Sequence, residues 1–282
     1  MNEILKSEIK FAIIKNETIA YRTFGNGQPL ILFNRFRGTI NDWDPAFITR
    51  LVKKNKVIVF DNLGVGNSSG TSPNSIEGMA EIAYEFIIFL GYDKVNLLGW
   101  SMGGLVVQAF VLNYPKIVQK VVLVGTGLGA SEHTEYPTER FLNVATKVYN
   151  MKPEHHQTVF FTDDQKGLHA TKESLSRIDN YLTKVKPTQP ETWIAQGTAT
   201  KNYFSSEKNY FEKIKSISQP VLVAGAKEDI AFSSKNSFLL YKQIPNSQLI
   251  LYSNAAHAFH HQLPDEFGGQ VERFLCRQEK TT

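Results

Sequence analysis

Short apolar segments alternate with amphipathic helical patterns along this chain, and this alternation restricts the fold more than any other feature. Segments without polar alternation are typical of parallel strands that are covered on both faces. Six of them are Pro29–Phe33, Val57–Phe60, Val95–Leu98, Val121–Val124, Pro220–Ala224 and Leu249–Tyr252. Two further segments, Phe11–Ile14 and Thr18–Phe24, are predicted to pair as strands. The pattern predicts an α/β fold with a mostly parallel, eight-stranded sheet flanked by helices.

The most informative short motif is Gly99-Trp100-Ser101-Met102-Gly103, which lies between a predicted strand and a helical pattern. In that context Gly-x-Ser-x-Gly is typical of a sharp turn that exposes the serine Oγ to a base. The glycines are needed where backbone segments approach too closely for a Cβ. The motif predicts Ser101 as a catalytic nucleophile and makes the neighbouring Trp100 a candidate substrate-binding residue.

A catalytic serine needs a base and an acid that orients it, and in this type of fold the acid and then the histidine follow the serine. His257 comes just after the last predicted strand and is the predicted base. His260 and His261 are rivals, for which we favour a half-buried position at the start of the final helix. Asp229 follows the preceding strand and is the predicted acid, with Glu228 as its neighbouring rival.

An oxyanion hole requires two backbone N–H groups directed at the developing negative charge. One is predicted to be the N–H of Met102, the residue after the nucleophile. The other is predicted to be that of Phe36, in the loop Asn34–Thr39 that follows a strand.

The alternation stops between about Gly129 and Ile214, where strands are not evident and aromatic residues are frequent. We predict a core domain of residues 1–128 and 215–282, interrupted by a helical cap insertion of residues 129–214. The alternative is that these helices only pad the core. The position after the strand that follows Ser101 favours a cap over the active site, with Trp193 as a candidate substrate-binding residue.

Composition narrows the classes of protein further. The chain is 42% hydrophobic and 21% charged, which is ordinary for a soluble globular protein. A net charge of +4 on scattered basic residues gives no basis for nucleic-acid binding.

Segments of signal-peptide or membrane-span length are not found, so we expect no membrane association and a cytoplasmic location. Cys276 is the only cysteine, which excludes an internal disulfide, and we expect it to be a buried or half-buried helix residue.

Metal and cofactor chemistry is not indicated by the sequence. The adjacent pair His155-His156 lacks the spacing of a metal site and has no cysteine nearby. We therefore expect neither a metal ion nor an organic cofactor.

Four motifs in order give the chain a specific resemblance to the α/β-hydrolase fold family. Gly99–Gly104 resembles the nucleophile elbow and Asp61–Ser68 the Asp-x-Arg-Gly-x-Gly-x-Ser loop, while Gly225–Asp229 and Asn254–His257 resemble the acid and histidine loops. The resemblance covers about residues 11–128 and 217–275. The elbow and the stretch Asn41–Pro45 are most similar to the branch of small bacterial esterases, lactonases and cofactor-free haloperoxidases. A serine at the nucleophile position excludes the aspartate-using dehalogenases and epoxide hydrolases.

The chain departs from the family pattern at two positions. The oxyanion loop begins with Asn34-Arg35 where the family has His-Gly. Two interpretations stay open: Arg35 binds substrate through its positive charge, or it points outward and pairs with Asp42 or Asp44. Leu63 replaces the arginine that usually braces the Asp61 loop, so apolar bracing is expected there.

The sequence predicts a serine hydrolase that cleaves a small carboxylic ester or lactone through an acyl-enzyme. Carbon–carbon bond hydrolysis or perhydrolysis by the same three residues is an alternative. A second alternative is a receptor-like protein that binds a small ligand and turns over little of it. The expected partner is a small-molecule substrate, and the sequence gives no oligomeric state.

Overall fold

The computed structural model describes residues 7–180 and 185–277. Its strands are β1 (Lys10–Ile14), β2 (Glu17–Phe24), β3 (Gln28–Phe33), β4 (Asn55–Phe60), β5 (Val95–Trp100), β6 (Val118–Val124), β7 (Val221–Ala226) and β8 (Ser247–Tyr252). They form one eight-stranded sheet in the order β1-β2-β4-β3-β5-β6-β7-β8. The pairs β1–β2 and β2–β4 are antiparallel, and the other five neighbouring pairs are parallel. The predicted α/β fold and mostly parallel sheet are confirmed.

Helices connect most of the strands. Within the described residues they are α1 (Pro45–Leu51), α2 (Ile76–Phe89), α3 (Met102–Asn113), α4 (Glu139–Ala145), α5 (Pro153–Phe160), α6 (Gln165–Asp179), α7 (Pro190–Tyr203), α8 (Tyr210–Lys213), α9 (Ser234–Gln243), α10 (Phe259–Gln262) and α11 (Pro264–Cys276). None of these is long and apolar enough to cross a membrane.

Both faces of the sheet are covered, which explains why the central strands lack polar alternation. Ile31 and Phe33 of β3 belong to a core cluster with residues of α2 and α3. Leu30 and Leu32 of the same strand belong to a second cluster with residues of α1 and α11. Because successive strand residues point to opposite faces, the four buried residues Leu30–Phe33 of this strand are all apolar.

The stretch between β6 and β7 contains α4 to α8, and its described part holds no strand. Its helical character agrees with the sequence pattern, while the division into core and cap domains stays a prediction.

Cys276 lies in a helix as expected, as the last residue of α11, but the prediction that it is buried or half-buried was wrong, because its side chain is exposed. Cys276 lies two residues after Phe274, which is about 200° around a helix. Phe267, Val271 and Phe274 face the core, so Cys276 faces away from it.

Candidate active site

Ser101 lies at the sharp turn between β5 and α3. Its φ is +58°, a region that non-glycine residues adopt rarely and at a cost in energy. The surrounding backbone holds this conformation: the Ser101 N–H donates to the Val124 carbonyl at 2.9 Å. The Thr126 hydroxyl donates to the Ser101 carbonyl at 2.7 Å. A Cβ on Gly103 would overlap the Phe33 carbonyl oxygen of β3, so a glycine is required in this turn.

The structure brings together the three predicted side chains, all of them buried. The His257 Nε2 lies 2.9 Å from the Ser101 Oγ. The His257 Nδ1 lies 2.8 Å from the Asp229 Oδ2. The other carboxylate oxygen accepts the N–H groups of Ala231 and Phe232, each at 2.8 Å. The Asp229 carboxylate can accept a hydrogen bond from His257 Nδ1–H, and in that tautomer Nε2 is free to accept a proton from the Ser101 hydroxyl.

The alternative candidates for the acid and the base do not contact Ser101 or His257 in the way that catalysis would require. Glu228 is exposed, whereas Asp229 is buried against His257. His260 and His261 are fully buried in α10 rather than half-buried, which corrects our expectation. The short helix turns both side chains towards the core. The centre of the His260 ring lies 4.4 Å from the centre of the Trp100 ring, and that of the His261 ring lies 5.2 Å from it.

Trp100 and Trp193 line neither of the cavities that contain Ser101. Trp100 is buried, and its Nε1 donates to the His257 carbonyl at 3.1 Å. The Trp193 Nε1 donates to the Thr188 carbonyl at 2.9 Å, and its ring is covered by the Arg37 guanidinium. Their predicted contact with substrate is therefore not supported by their positions. Trp100 stabilises the histidine loop instead.

Arg35 points inward. Its guanidinium forms an ion pair with Asp42 and lies 4.8 Å from the centre of the Phe160 ring. Asp44 is bound by Arg177 instead. Burial opposes ionisation of Asp42, but Arg35 and hydrogen bonds from Thr39 hold the pKa of its carboxyl below the ordinary value. Arg35 thus has the acidic partner of one interpretation and the location near Ser101 of the other.

Asp61 joins two loops beside the site. Its carboxylate accepts the N–H groups of Ile40 at 2.7 Å and Asn67 at 3.0 Å. Burial raises the pKa of Asp61 to about 7. Leu63, which replaces the usual arginine of this loop, is buried in an apolar cluster, in agreement with the expected apolar bracing.

Two cavities meet at Ser101. The small cavity, of about 20 Å³, is lined by Arg35, Phe36, Arg37, Ser101, Phe141, Ala145, Met151, Val159, Phe160 and His257. The large cavity, of about 380 Å³, is lined by Phe36, Ser101, Met102, Pro137, Phe141, Leu142, Ala145, Thr146, Gly197, Thr200, Lys201, Phe204 and Phe232. Helix α4 contributes to the walls of both cavities, α5 to the small cavity and α7 to the large one. The aromatic content of residues 129–214 pointed to such a wall, but the sequence did not identify which residues form it.

The two predicted oxyanion donors lie next to the nucleophile. Met102 is the first residue of α3, where an α-helix leaves its N–H groups without internal partners. Phe36 lines both cavities beside Ser101. Within residues 7–180 and 185–277, groups of three or more His, Cys, Asp or Glu arranged to hold a metal ion are not found.

Comparison with known proteins agrees with this fold. The family model for the α/β hydrolase fold matches residues 28–264. The chain is 29% identical over 222 residues to the poly(3-hydroxyalkanoate) depolymerase of Ectopseudomonas oleovorans, covering 78% of this chain and 75% of the relative. It is 28% identical over 230 residues to the 2-hydroxy-6-oxononadienedioate/2-hydroxy-6-oxononatrienedioate hydrolase of Klebsiella pneumoniae, covering 79% and 77%. An α/β hydrolase fold protein from Chitinophaga pinensis superimposes with a TM-score of 0.89 and 31% identity, covering 98% of this chain and 100% of that one.

Proposed function

Since this chain belongs to the α/β-hydrolase fold family, we propose that it is a serine hydrolase that cleaves a small carboxylic ester or lactone. One observation carries the proposal: Ser101, His257 and Asp229 form a buried, hydrogen-bonded series beside an apolar cavity. This series is the arrangement that acyl transfer requires of a nucleophile, a base and an orienting acid.

In the first half of the reaction the Ser101 Oγ attacks the substrate carbonyl carbon while His257 Nε2 accepts the hydroxyl proton. The carbonyl oxygen becomes an oxyanion, to which the N–H groups of Phe36 and Met102 donate. Collapse of this intermediate breaks the bond to the alkoxy oxygen. The imidazolium of His257 gives its proton to that oxygen, and an acyl-enzyme remains.

In the second half a water molecule gives its proton to His257 and attacks the acyl carbon. The proton returns to the Ser101 Oγ as the carboxylic acid departs. Asp229 stays ionised throughout, keeps the His257 tautomer and stabilises the imidazolium.

The nucleophile can be tested with a fluorophosphonate probe, which reacts with activated serines. We expect wild-type protein and the control Ser218→Ala, which changes an exposed serine, to be labelled. Ser101→Ala should not be labelled. Absence of labelling in the wild type, or equal labelling of Ser101→Ala, would contradict the serine mechanism and favour a binding protein of low turnover.

A second candidate is hydrolysis of a carbon–carbon bond. The Klebsiella relative is named for a dienedioate that contains no ester group, and it is 28% identical to this chain. The same serine and histidine serve that reaction. A panel of aryl esters, acyl lactones and β-diketones separates the two, because turnover of the diketones alone would reject the ester proposal.

A further inference from the structure

The two cavities at Ser101 differ in size and chemistry. The small cavity, of about 20 Å³, has room for about one water-sized group. The large cavity, of about 380 Å³, is in the range of ordinary ligand pockets. Its walls are mainly apolar, with side chains such as Pro137, Leu142, Phe204 and Phe232.

The two cavities also differ in which reacting group they contact. His257 lines only the small cavity, whereas Met102 lines only the large one. In acyl transfer the departing oxygen must lie next to the histidine, because the histidine protonates it. The acyl chain then extends to the other side of Ser101. The small cavity therefore receives the alcohol, and the large cavity receives the acyl chain.

We propose, on the basis of the proposed hydrolase function, that the preferred substrates are esters of a large apolar acid with a very small alcohol such as methanol. Acetates of large alcohols would have to put their bulk into the small cavity. Met151, Val159 and Phe160 close that cavity, and the latter two are buried.

The charges around the large cavity favour a substrate whose acyl chain is uncharged. Among its described lining residues Lys201 is the only charged one, and it is exposed at the opening beside the exposed Gly197. A carboxylate within the cavity would lose its hydration without gaining a buried partner. Each methylene of a neutral acyl chain should instead raise kcat/KM about fourfold until the cavity is full.

Isomeric esters test the assignment directly, because methyl octanoate and heptyl acetate have the same atoms and similar hydrophobicity. We expect kcat/KM to be at least tenfold higher for methyl octanoate. Equal rates, or a preference for heptyl acetate, would overturn this inference and leave the hydrolase intact. If no ester, including aryl esters, is turned over, the proposed function fails instead.

Substitution of Thr200, which lines the large cavity from α7, tests which group lies there. Thr200→Phe should lower the ratio of kcat/KM for methyl octanoate to that for methyl butanoate at least tenfold. Thr198→Phe is the matched control on the same helix, because Thr198 is exposed and outside the cavity. An unchanged ratio in Thr200→Phe would contradict the assignment.

The complementary variant enlarges the small cavity. Val159→Ala removes two methyl groups from its wall, so propyl octanoate should gain at least fivefold relative to methyl octanoate. This readout is a gain in relative rate, which partial loss of folded protein does not produce. Absence of such a gain would overturn the proposal for the alcohol side.

Discussion

Gly103 occupies a position in α3 at which the backbone of β3 leaves no room for a side chain. The nearest atoms to a Cβ there are backbone atoms of Phe33 and Asn34, which cannot move without shifting the strand and the oxyanion loop. Gly197 in α7 is the opposite case, because a Cβ there meets nothing within 4 Å. Two helical glycines of one chain thus differ in whether the fold requires them.

This difference is measurable by urea unfolding. Gly103→Ala should lower the free energy of unfolding by about 1–3 kcal/mol, as overpacking does. Gly197→Ala, the matched control, should raise it by roughly 0.5–1 kcal/mol, because alanine favours a helix over glycine. A Gly103→Ala protein as stable as wild type would show that the close approach of α3 to β3 can relax.

Asp229 is expected to act on the rate and not on the fold. An asparagine would retain the shape but favour the His257 tautomer in which Nε2 carries the proton and cannot accept another. Asp229→Asn should therefore lower kcat by roughly 10³–10⁴-fold. Glu228→Gln changes the neighbouring exposed acid and should leave kcat unchanged. Ester-hydrolysis assays of both variants measure kcat, and circular dichroism checks that both are folded. Similar kcat values for the two variants would remove Asp229 from the mechanism.

At the scale of elements, Arg37 connects the oxyanion loop to the helices above it. Its φ is +63°, and its N–H donates to the Gln196 side-chain oxygen of α7 at 2.8 Å. Its guanidinium donates to the Ala145, Val148 and Tyr149 carbonyls at 2.8–3.0 Å. Since Arg37 directly follows Phe36, the position of the proposed oxyanion donor depends on these contacts.

Loss of the Arg37 contacts should weaken stabilisation of the oxyanion more than it weakens binding of the substrate. Arg37→Ala is expected to lower kcat by at least about tenfold, a fraction of the effect of losing an oxyanion donor. The control is Arg140→Ala on α4, which breaks an exposed ion pair between Arg140 and Asp163 and should retain kcat. Steady-state kinetics of both variants measure this, and a full kcat for Arg37→Ala would refute the connection.

The sheet was predictable from sequence because burial on both faces leaves a continuous apolar pattern, and every predicted strand is present. The three proposed catalytic residues could be proposed from sequence because each follows a strand at the same edge of the sheet, and the structure brings their side chains within hydrogen-bonding distance. The residues of the cavity walls could not be predicted from the sequence, and α7 shows why. Gln196 is fully buried and its side-chain oxygen accepts a hydrogen bond from the Arg37 N–H, while Ile194 is 71% exposed. Hydrophobicity therefore does not identify the face that this helix presents to the cavity.

At the scale of the whole molecule, three histidines lie where the helices above the site meet the core. His260 and His261 are buried, and His156 is half-buried beside Arg35. Burial lowers the pKa of His156 and of His261 to about 4, and that of His260 well below its ordinary range. Neither ring nitrogen of His260 has a hydrogen-bond partner among the described residues. The folded protein therefore holds these histidines neutral at pH values where an unfolded chain protonates them.

This makes stability depend on pH in a defined direction. Between pH 6.5, where unfolded histidines titrate, and about 4, the unfolded state binds up to three protons that the folded state does not, so the free energy of unfolding falls as pH falls. Asp61 offsets about one of them, because its raised pKa of about 7 makes the folded state bind a proton in the same interval. The net of about two protons gives a slope of up to about 3 kcal/mol per pH unit.

Replacing one histidine separates this effect from general acid denaturation. His260→Leu removes one titrating group and no hydrogen bond within the described residues, so urea unfolding between pH 7.5 and 5 should show a slope smaller by about one proton. His169→Leu, which changes an exposed histidine of α6, should retain the wild-type slope. If the His260→Leu and wild-type slopes coincide, the histidine is not the source of the pH dependence, and the other buried acids and bases at this junction must supply it.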